Sequence, residues 1–400
     1  MTAVKDDLAR PTEAAWDLLT YADDLNEAER QALLRLRLFM EEHVRPIAND
    51  FWDRAEFPVH LVPELAQTGV FGFGYPGIEE LETSALFRGL ATLELARVDP
   101  GFATMRGVSS GLAMKSIALL GSDEQRNYWL PCLGSGESIG AFALTEPFAG
   151  SDVARGLSTT CRRVGETWIL NGAKRWIGNA TWGDVVIIWA RAEEDGQVKG
   201  FIVRTDTPGY TARKIERKYS QRNVQNADIT LENVVVSDAD RLPEARTFAD
   251  TARVLTASRL DVAWTSLGTA IGAYEAALAY ANSRTQFGKP IARFQLVQDL
   301  LVRSVSNITA SVAVCARVAV LADRHGPQDH QTALAKAFVT TRTREVVAWC
   351  REIFGGNGID LDFDVIRFFA DAEALYSYEG TREVNTLIVG RHITGESAFV

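Results

Sequence analysis

Near the C-terminus, Tyr378-Glu379-Gly380-Thr381 sets a carboxylate between an aromatic ring and a glycine, with a hydroxyl directly after. Glu379 has the chemistry of a proton acceptor, and Gly380-Thr381 offers N–H and O–H donors to an anion. An isolated Glu-Gly is more often a surface glutamate near a helix end, so any role for it depends on partners elsewhere in the chain. Cys132, Cys161, Cys315 and Cys350 form no Cys-x-x-Cys pair and are expected to be reduced, mostly buried thiols. The five histidines form no His-Glu-x-x-His or similar cluster, so no metal site is expected. Gly355-Gly356 and Gly358 permit close backbone approach, but no strand precedes them and they do not spell a Gly-x-Gly-x-x-Gly loop.

These residues need elements to hold them. The chain has 400 residues, 46% of them hydrophobic, which implies a large core and more than one domain. A net charge of −10 argues against nucleic acid as a main partner. The polar, acidic start, MTAVKDDLAR, is not a signal peptide, and with no run of 18 apolar residues no membrane-spanning helix is expected. A cytoplasmic location follows as the expectation.

Residues 1–138 form a helical domain by pattern. Leu33, Leu34, Leu36, Leu38 and Phe39 lie amid charges as in an amphipathic helix, and Ser122-Asp123-Glu124-Gln125 marks a helix start. From 139 to 248 the runs are short and β-branched, such as Val185 to Trp189 and Phe201-Ile202-Val203. Trp168-Ile169-Leu170 runs into Asn171-Gly172, a hairpin-turn signal. This predicts a mainly antiparallel β domain. From 249 to 400 the helical stripes return, as in Leu267, Ile271, Tyr274 and Leu278, then Leu301, Val305, Ile308, Val312 and Cys315. Long helices with short connections predict a four-helix bundle and an overall α+β chain. The charged stretch Glu216 to Arg222 is expected to be a solvated turn.

The order helix, β, helix, together with five motifs in sequence, resembles the acyl-CoA dehydrogenase family and its fold. The motifs are Leu144-Thr145-Glu146-Pro147 with Gly150-Ser151-Asp152; Lys174 to Asn179; Arg284-Thr285-Gln286-Phe287-Gly288; Phe354 to Gly358; and Tyr378 to Thr381. The resemblance implies FAD as cofactor and α,β-dehydrogenation of a short-chain acyl-CoA thioester to the trans-2-enoyl-CoA. Glu379 would remove the α-proton while the β-hydride goes to flavin N5. Phe142, Leu144, Thr145, Gly150, Ser151, Trp176, Ile177 and Gly178 would contact the cofactor. So would Arg284, Gln286, Phe287, Gln295, Glu352, Gly355, Gly356, Thr381 and Glu383. The Arg284 and Gly-Gly motifs would reach a neighbouring subunit's FAD in a homotetramer. Ser151, Ala103, Arg106, Arg259, Tyr378 and Gly380 would contact substrate. In some members the base precedes an arginine on another helix; the matching position is Ser258, before Arg259, and serine cannot serve, so Glu379 keeps the role.

Two departures narrow the resemblance. Gly178 stands where most members carry Thr or Ser, and Arg175 to Asn179, Asp240 to Pro243, Val254-Leu255 and Ser258-Arg259 resemble plant peroxisomal short-chain acyl-CoA oxidases. The electron acceptor is then O₂ or an electron-transfer flavoprotein. The ending Ala398-Phe399-Val400 is not a peroxisomal tripeptide. The chain also resembles glutaryl-CoA dehydrogenases, but their carboxylate-binding arginine aligns with Ala103, and Arg106 lies three residues on. A short neutral acyl chain fits better. Alternatives are a carrier-protein thioester, a glutaryl-type substrate, or a flavin monooxygenase of the same fold.

Overall fold

The structure, a computed structural model, describes residues 15–399. The segment MTAVKDDLAR lies outside the described residues, as does Val400 of the C-terminal tripeptide. Of the principal N-terminal helices, α1 spans Glu27–Phe39, α2 Ala85–Val98, α3 Pro100–Arg106 and α4 Asp123–Gly134. Two of them begin with a capping box, and the helix start expected at Ser122 is one of these. Asn26 accepts from the Glu29 N–H while Glu29 reaches back, and Ser122 and Gln125 do the same for α4. A wider π-helical stretch, Gly107–Met114, continues α3 without a break.

The central sheet has seven strands: β1 Gly140–Ala143, β2 Thr160–Val164, β3 Thr167–Ile177, β4 Val185–Ala192, β5 Val198–Arg204, β6 Tyr210–Lys214 and β7 Ala227–Ser237. The β2–β3, β3–β7, β6–β7 and β4–β5 ladders are antiparallel, whereas β4 runs parallel to β1 and, at its own end, to the start of β2. Seven of the eight β4 residues are buried because apolar layers cover both faces of the strand, which explains its unbroken apolar run. The hairpin expected at Asn171-Gly172 is not there. Those residues lie inside β3, at a register shift opposite β7, and the chain turns earlier, at Gly165-Glu166. Gly172 is needed for close approach, since a Cβ there would lie 2.6 Å from Thr159 Oγ1.

The C-terminal half holds α5 Phe248–Ser283, α6 Gln295–His325, α7 Asp329–Ile353, α8 Val365–Ser377 and α9 Arg382–Thr394. Helix α5 packs against α2, α6, α7 and α8, so one apolar core joins the two helical regions. The α2–α5 crossing is close. A Cβ on Gly268 would lie 2.4 Å from the Leu93 oxygen, and one on Gly272 2.3 Å from the Arg97 oxygen. Contrary to the sequence expectation, α6 is long and apolar enough to cross a membrane by length and composition. It packs in the bundle, with Leu301, Ile308, Val312 and Cys315 buried.

Candidate active site

Glu379 lies in the turn between α8 and α9, and the turn is locally built to present it. Tyr378 caps α8, Thr381 caps α9 by accepting from the Val384 N–H, and both Glu379 and Gly380 are left-handed, with φ +54° and +79°. A left-handed glutamate is uncommon and needs support from its surroundings. Asn385 Nδ2 donates to the Gly380 and Thr381 oxygens at 2.9 and 3.0 Å. Lys336 Nζ, from α7, donates to the Gly380 oxygen at 2.7 Å and the Tyr376 oxygen at 3.1 Å. The Glu379 carboxylate accepts from Ser258 Oγ on α5. Desolvation raises its pKa above the ordinary carboxylate value, against the Ser258 hydrogen bond and the positive charges of Arg259 and Lys336, with Asp261 adding to the rise. The result is a carboxylate made more basic while held in one place.

A second wall comes from the sheet. The end of β3 carries Trp176, Gly178 follows directly after the strand, and Asn179 Nδ2 ties this end to the Met105 and Gly140 oxygens at 3.1 and 3.0 Å. Trp176 is 49% exposed at φ +67°, and Asn226 holds its carbonyl at 3.1 Å, so its large ring stays open to one side. A Cβ on Gly178 would meet Val108 Cγ2 at 3.3 Å. Tyr378 Oη lies 3.2 Å from Thr104 Oγ1, and Thr104 and Val108 stand four residues apart on one helical run. The Glu379 turn and the Gly178 strand therefore approach the same helix face from two sides.

The loop after β1 completes this wall through an ion pair that sequence reasoning missed. Lys174 Nζ donates to Glu146 Oε1 at 2.8 Å and the Leu144 oxygen at 3.2 Å, with both side chains almost fully buried. Glu146 also accepts from the Ser158 N–H and hydroxyl and the Thr159 N–H. Burial would raise the Glu146 carboxyl, but Lys174 and these donors hold it at about 2; burial pushes Lys174 down to about 8 against the pull of Glu146. Phe142 and Leu144 are buried behind the loop, Thr145 is half-buried, and Gly150 and Ser151 are exposed at its tip.

The residues expected to contact substrate lie in mixed surroundings. Ala103 is 1% exposed and belongs to the core, while Thr104 and Gly107 face more open space. Arg106 is buried and already engaged, its Nε with the Val70 oxygen at 3.2 Å and its Nη1 with Asp261 at 3.5 Å. Arg259 sits close enough to act on Glu379 by charge, but its hydrogen bond goes to Asp329 at 2.5 Å. The stretch Glu216 to Arg222 is not a plain solvated turn. Gln221 is buried and bonds Thr104 and Asp371, and Lys218 donates to the Val224 oxygen and to Asn226. Glu-Arg-Lys composition hid these inward contacts, and no local signal distinguished them.

The expected cofactor residues fall in two groups. Arg284 stands 25 residues beyond Arg259 on one continuous helix and its cap, about 37 Å away at the α-helical rise. Beside it, Gln286 and Phe287 lie on the hairpin formed by β8 (Thr285–Gln286) and β9 (Lys289–Pro290), and Gln295 starts α6. Glu352 ends α7, and Gly355-Gly356 follow on a loop linked to α5 by Asn357 Nδ2 to Tyr280 Oη at 3.1 Å. This second group is exposed, with Phe287 at 93%, and cannot meet Glu379 within one chain. Glu383 is exposed on α9 and pairs with Arg382. The first group suits a flat aromatic cofactor with a phosphate tail: an open tryptophan face, and at Gly150 no atom within 4 Å of a would-be Cβ.

Residues 26–137, 141–234 and 248–394 match, in order, the models for the N-terminal, middle and C-terminal domains of acyl-CoA dehydrogenase. A 3-(aryl)acrylate reductase of Clostridium sporogenes is 33% identical over 91% of this chain and 98% of its own. The mitochondrial short-chain specific acyl-CoA dehydrogenase of Rattus norvegicus is 29% identical over 92% of this chain and 91% of its own. The crystal structure of a glutaryl-CoA dehydrogenase from Mycobacterium smegmatis in complex with FADH2 superposes with a TM-score of 0.92 at 34% identity, covering 97% of this chain and all of that one. Fold, domain order and relatives agree: the chain belongs to the acyl-CoA dehydrogenase family of flavin-dependent oxidoreductases.

Proposed function

We propose that this enzyme binds FAD and dehydrogenates a short-chain acyl-CoA at the α,β bond. The observation that carries this reading is the Glu379 turn: a desolvated carboxylate, bonded to Ser258, on the same helix face as Gly178. FAD, when bound, supplies the acceptor for the hydride leaving the β-carbon. Glu379 takes the proton from the α-carbon, and its raised pKa makes it basic enough to do so. The half-buried Glu379 and Gly380 backbone N–H groups are free to polarise a thioester oxygen, since no acceptor for them occurs among the described residues. Trp176 and the Gly150-Ser151 tip would hold the flavin and its phosphates.

We assign the Arg284, Phe287 and Gly355-Gly356 group to the FAD of a neighbouring copy, supported by the length of α5 between the two groups. The exposed apolar side chains Phe287, Leu296 and Val302 favour such an assembly, for which a homotetramer is our reading. Gly178 presents no hydroxyl to the cofactor, which favours O₂ as acceptor beside an electron-transfer flavoprotein. All four cysteines are free thiols, in keeping with a reducing, cytoplasmic setting.

Purified protein is expected to show flavin absorbance and to oxidise C4 to C8 acyl-CoAs, measured with and without O₂ and beside carrier-protein thioesters. Glu379→Gln should lower kcat by roughly 10²–10⁴-fold with FAD retained. Colourless protein, or full turnover by the glutamine variant, would remove this function.

A further inference from the structure

Lys336 is 0% exposed on α7, and among the described residues it forms no ion pair. Its ammonium is spent on two carbonyl oxygens, those of Tyr376 and Gly380, which bracket Glu379. A fully buried ammonium without a contact counter-ion is costly, and a methionine would fill the same helix position without that cost. The two carbonyls belong to the last turn of α8 and to the second of two left-handed residues, so the lysine spans the strained segment from both sides. Asn385 grips the Gly380 oxygen from α9, but it is neutral and does not reach the Tyr376 side.

From this geometry we propose that Lys336 is a positioning residue for Glu379: it fixes the left-handed turn through the two carbonyls and faces the base with a positive charge. The inference rests on the function proposed above and deepens its account of the base. The groups facing the Glu379–Lys336 space are Arg259 and Asp261 from α5, Glu383 from α9 and Ser258, which is uncharged. All of them remain when Lys336 is replaced. Loss of the cation then disfavours the ionised carboxylate, so the pKa of Glu379 rises and the acid limb of kcat moves to higher pH. Burial also pushes Lys336 itself down to about 7, against the pull of Glu379.

The test compares wild type, Lys336→Met and Lys336→Gln on butanoyl-CoA, with flavin content and melting temperature recorded for each. Lys336→Met is expected to lose roughly 10- to 100-fold in kcat with KM changed less than about threefold, as a misplaced catalytic group would. Its acid limb should rise by about half a unit or more. Lys336→Gln keeps a donor for the carbonyls but no charge; it should recover most of kcat and retain the shifted limb. Should the methionine variant fail to fold, the glutamine variant decides by its limb alone. Unchanged kcat and an unmoved limb in a folded, flavin-loaded variant overturn the positioning role. A wild type inert toward every thioester instead overturns the function, so the two failures are distinguishable.

Discussion

At the scale of single residues, the neighbours of Glu379 set both its strength as a base and the room beside it. Asp261 stands one helical turn beyond Ser258, its side chain 31% exposed, next to Gly111 and Arg106. An acyl tail leaving the base along α5 would meet this carboxylate early, and a long aliphatic chain would have to desolvate it. Short chains would escape that cost. Asp261→Val should therefore raise kcat/KM for octanoyl-CoA relative to butanoyl-CoA by roughly tenfold or more, since each buried CH₂ contributes about 0.8 kcal/mol. An unchanged chain-length ratio would mean that Asp261 does not border the tail. Removing this negative charge should also let Glu379 ionise at lower pH, so the acid limb of kcat moves down.

At the scale of elements, the loop after β1 is pinned to β3 by one buried ion pair. The Glu146 carboxyl is held at about 2, well below its unfolded value, so its contribution to stability is present above pH ~4.5 and is lost as pH falls toward about 2. Glu146→Gln strands the Lys174 ammonium without its counter-ion, at a cost of about 3–5 kcal/mol. Melting curves recorded against pH should show a lower Tm for the variant near neutrality and a flatter acid limb. Weaker FAD retention should accompany this, because Thr145 and Gly150 lose their anchor. A variant as stable as wild type at pH 7, with its full flavin complement, would show that the pair does not hold the loop.

Across the whole molecule, sequence patterns revealed elements better than contacts between them. The helix start at Ser122 and the apolar run of β4 were readable because their causes are local. Asn171-Gly172 misled because a bulge and a turn draw on the same residue types, and only the partner strand distinguishes them. The Glu379 motif was legible as a tetrapeptide, whereas Ser258, Lys336 and Asn385 reach it from three different helices. No spacing rule connects residues 121 positions apart, as Ser258 and Glu379 are. The burial of Ala103 and Arg106 was hidden for a related reason: alignment gives a position along a helix but not which face is buried.

The length of α5 has a consequence for heredity as much as for chemistry. If each site draws Glu379 from one copy and Arg284 from another, a lesion in either half cripples a uniform assembly. Two differently damaged chains, one Glu379→Gln and one Arg284→Glu, would be inactive apart. Co-expressed, they should regain part of the wild-type turnover, because some sites would combine the intact half of each. No recovery in verified mixed oligomers would place the whole site within one chain.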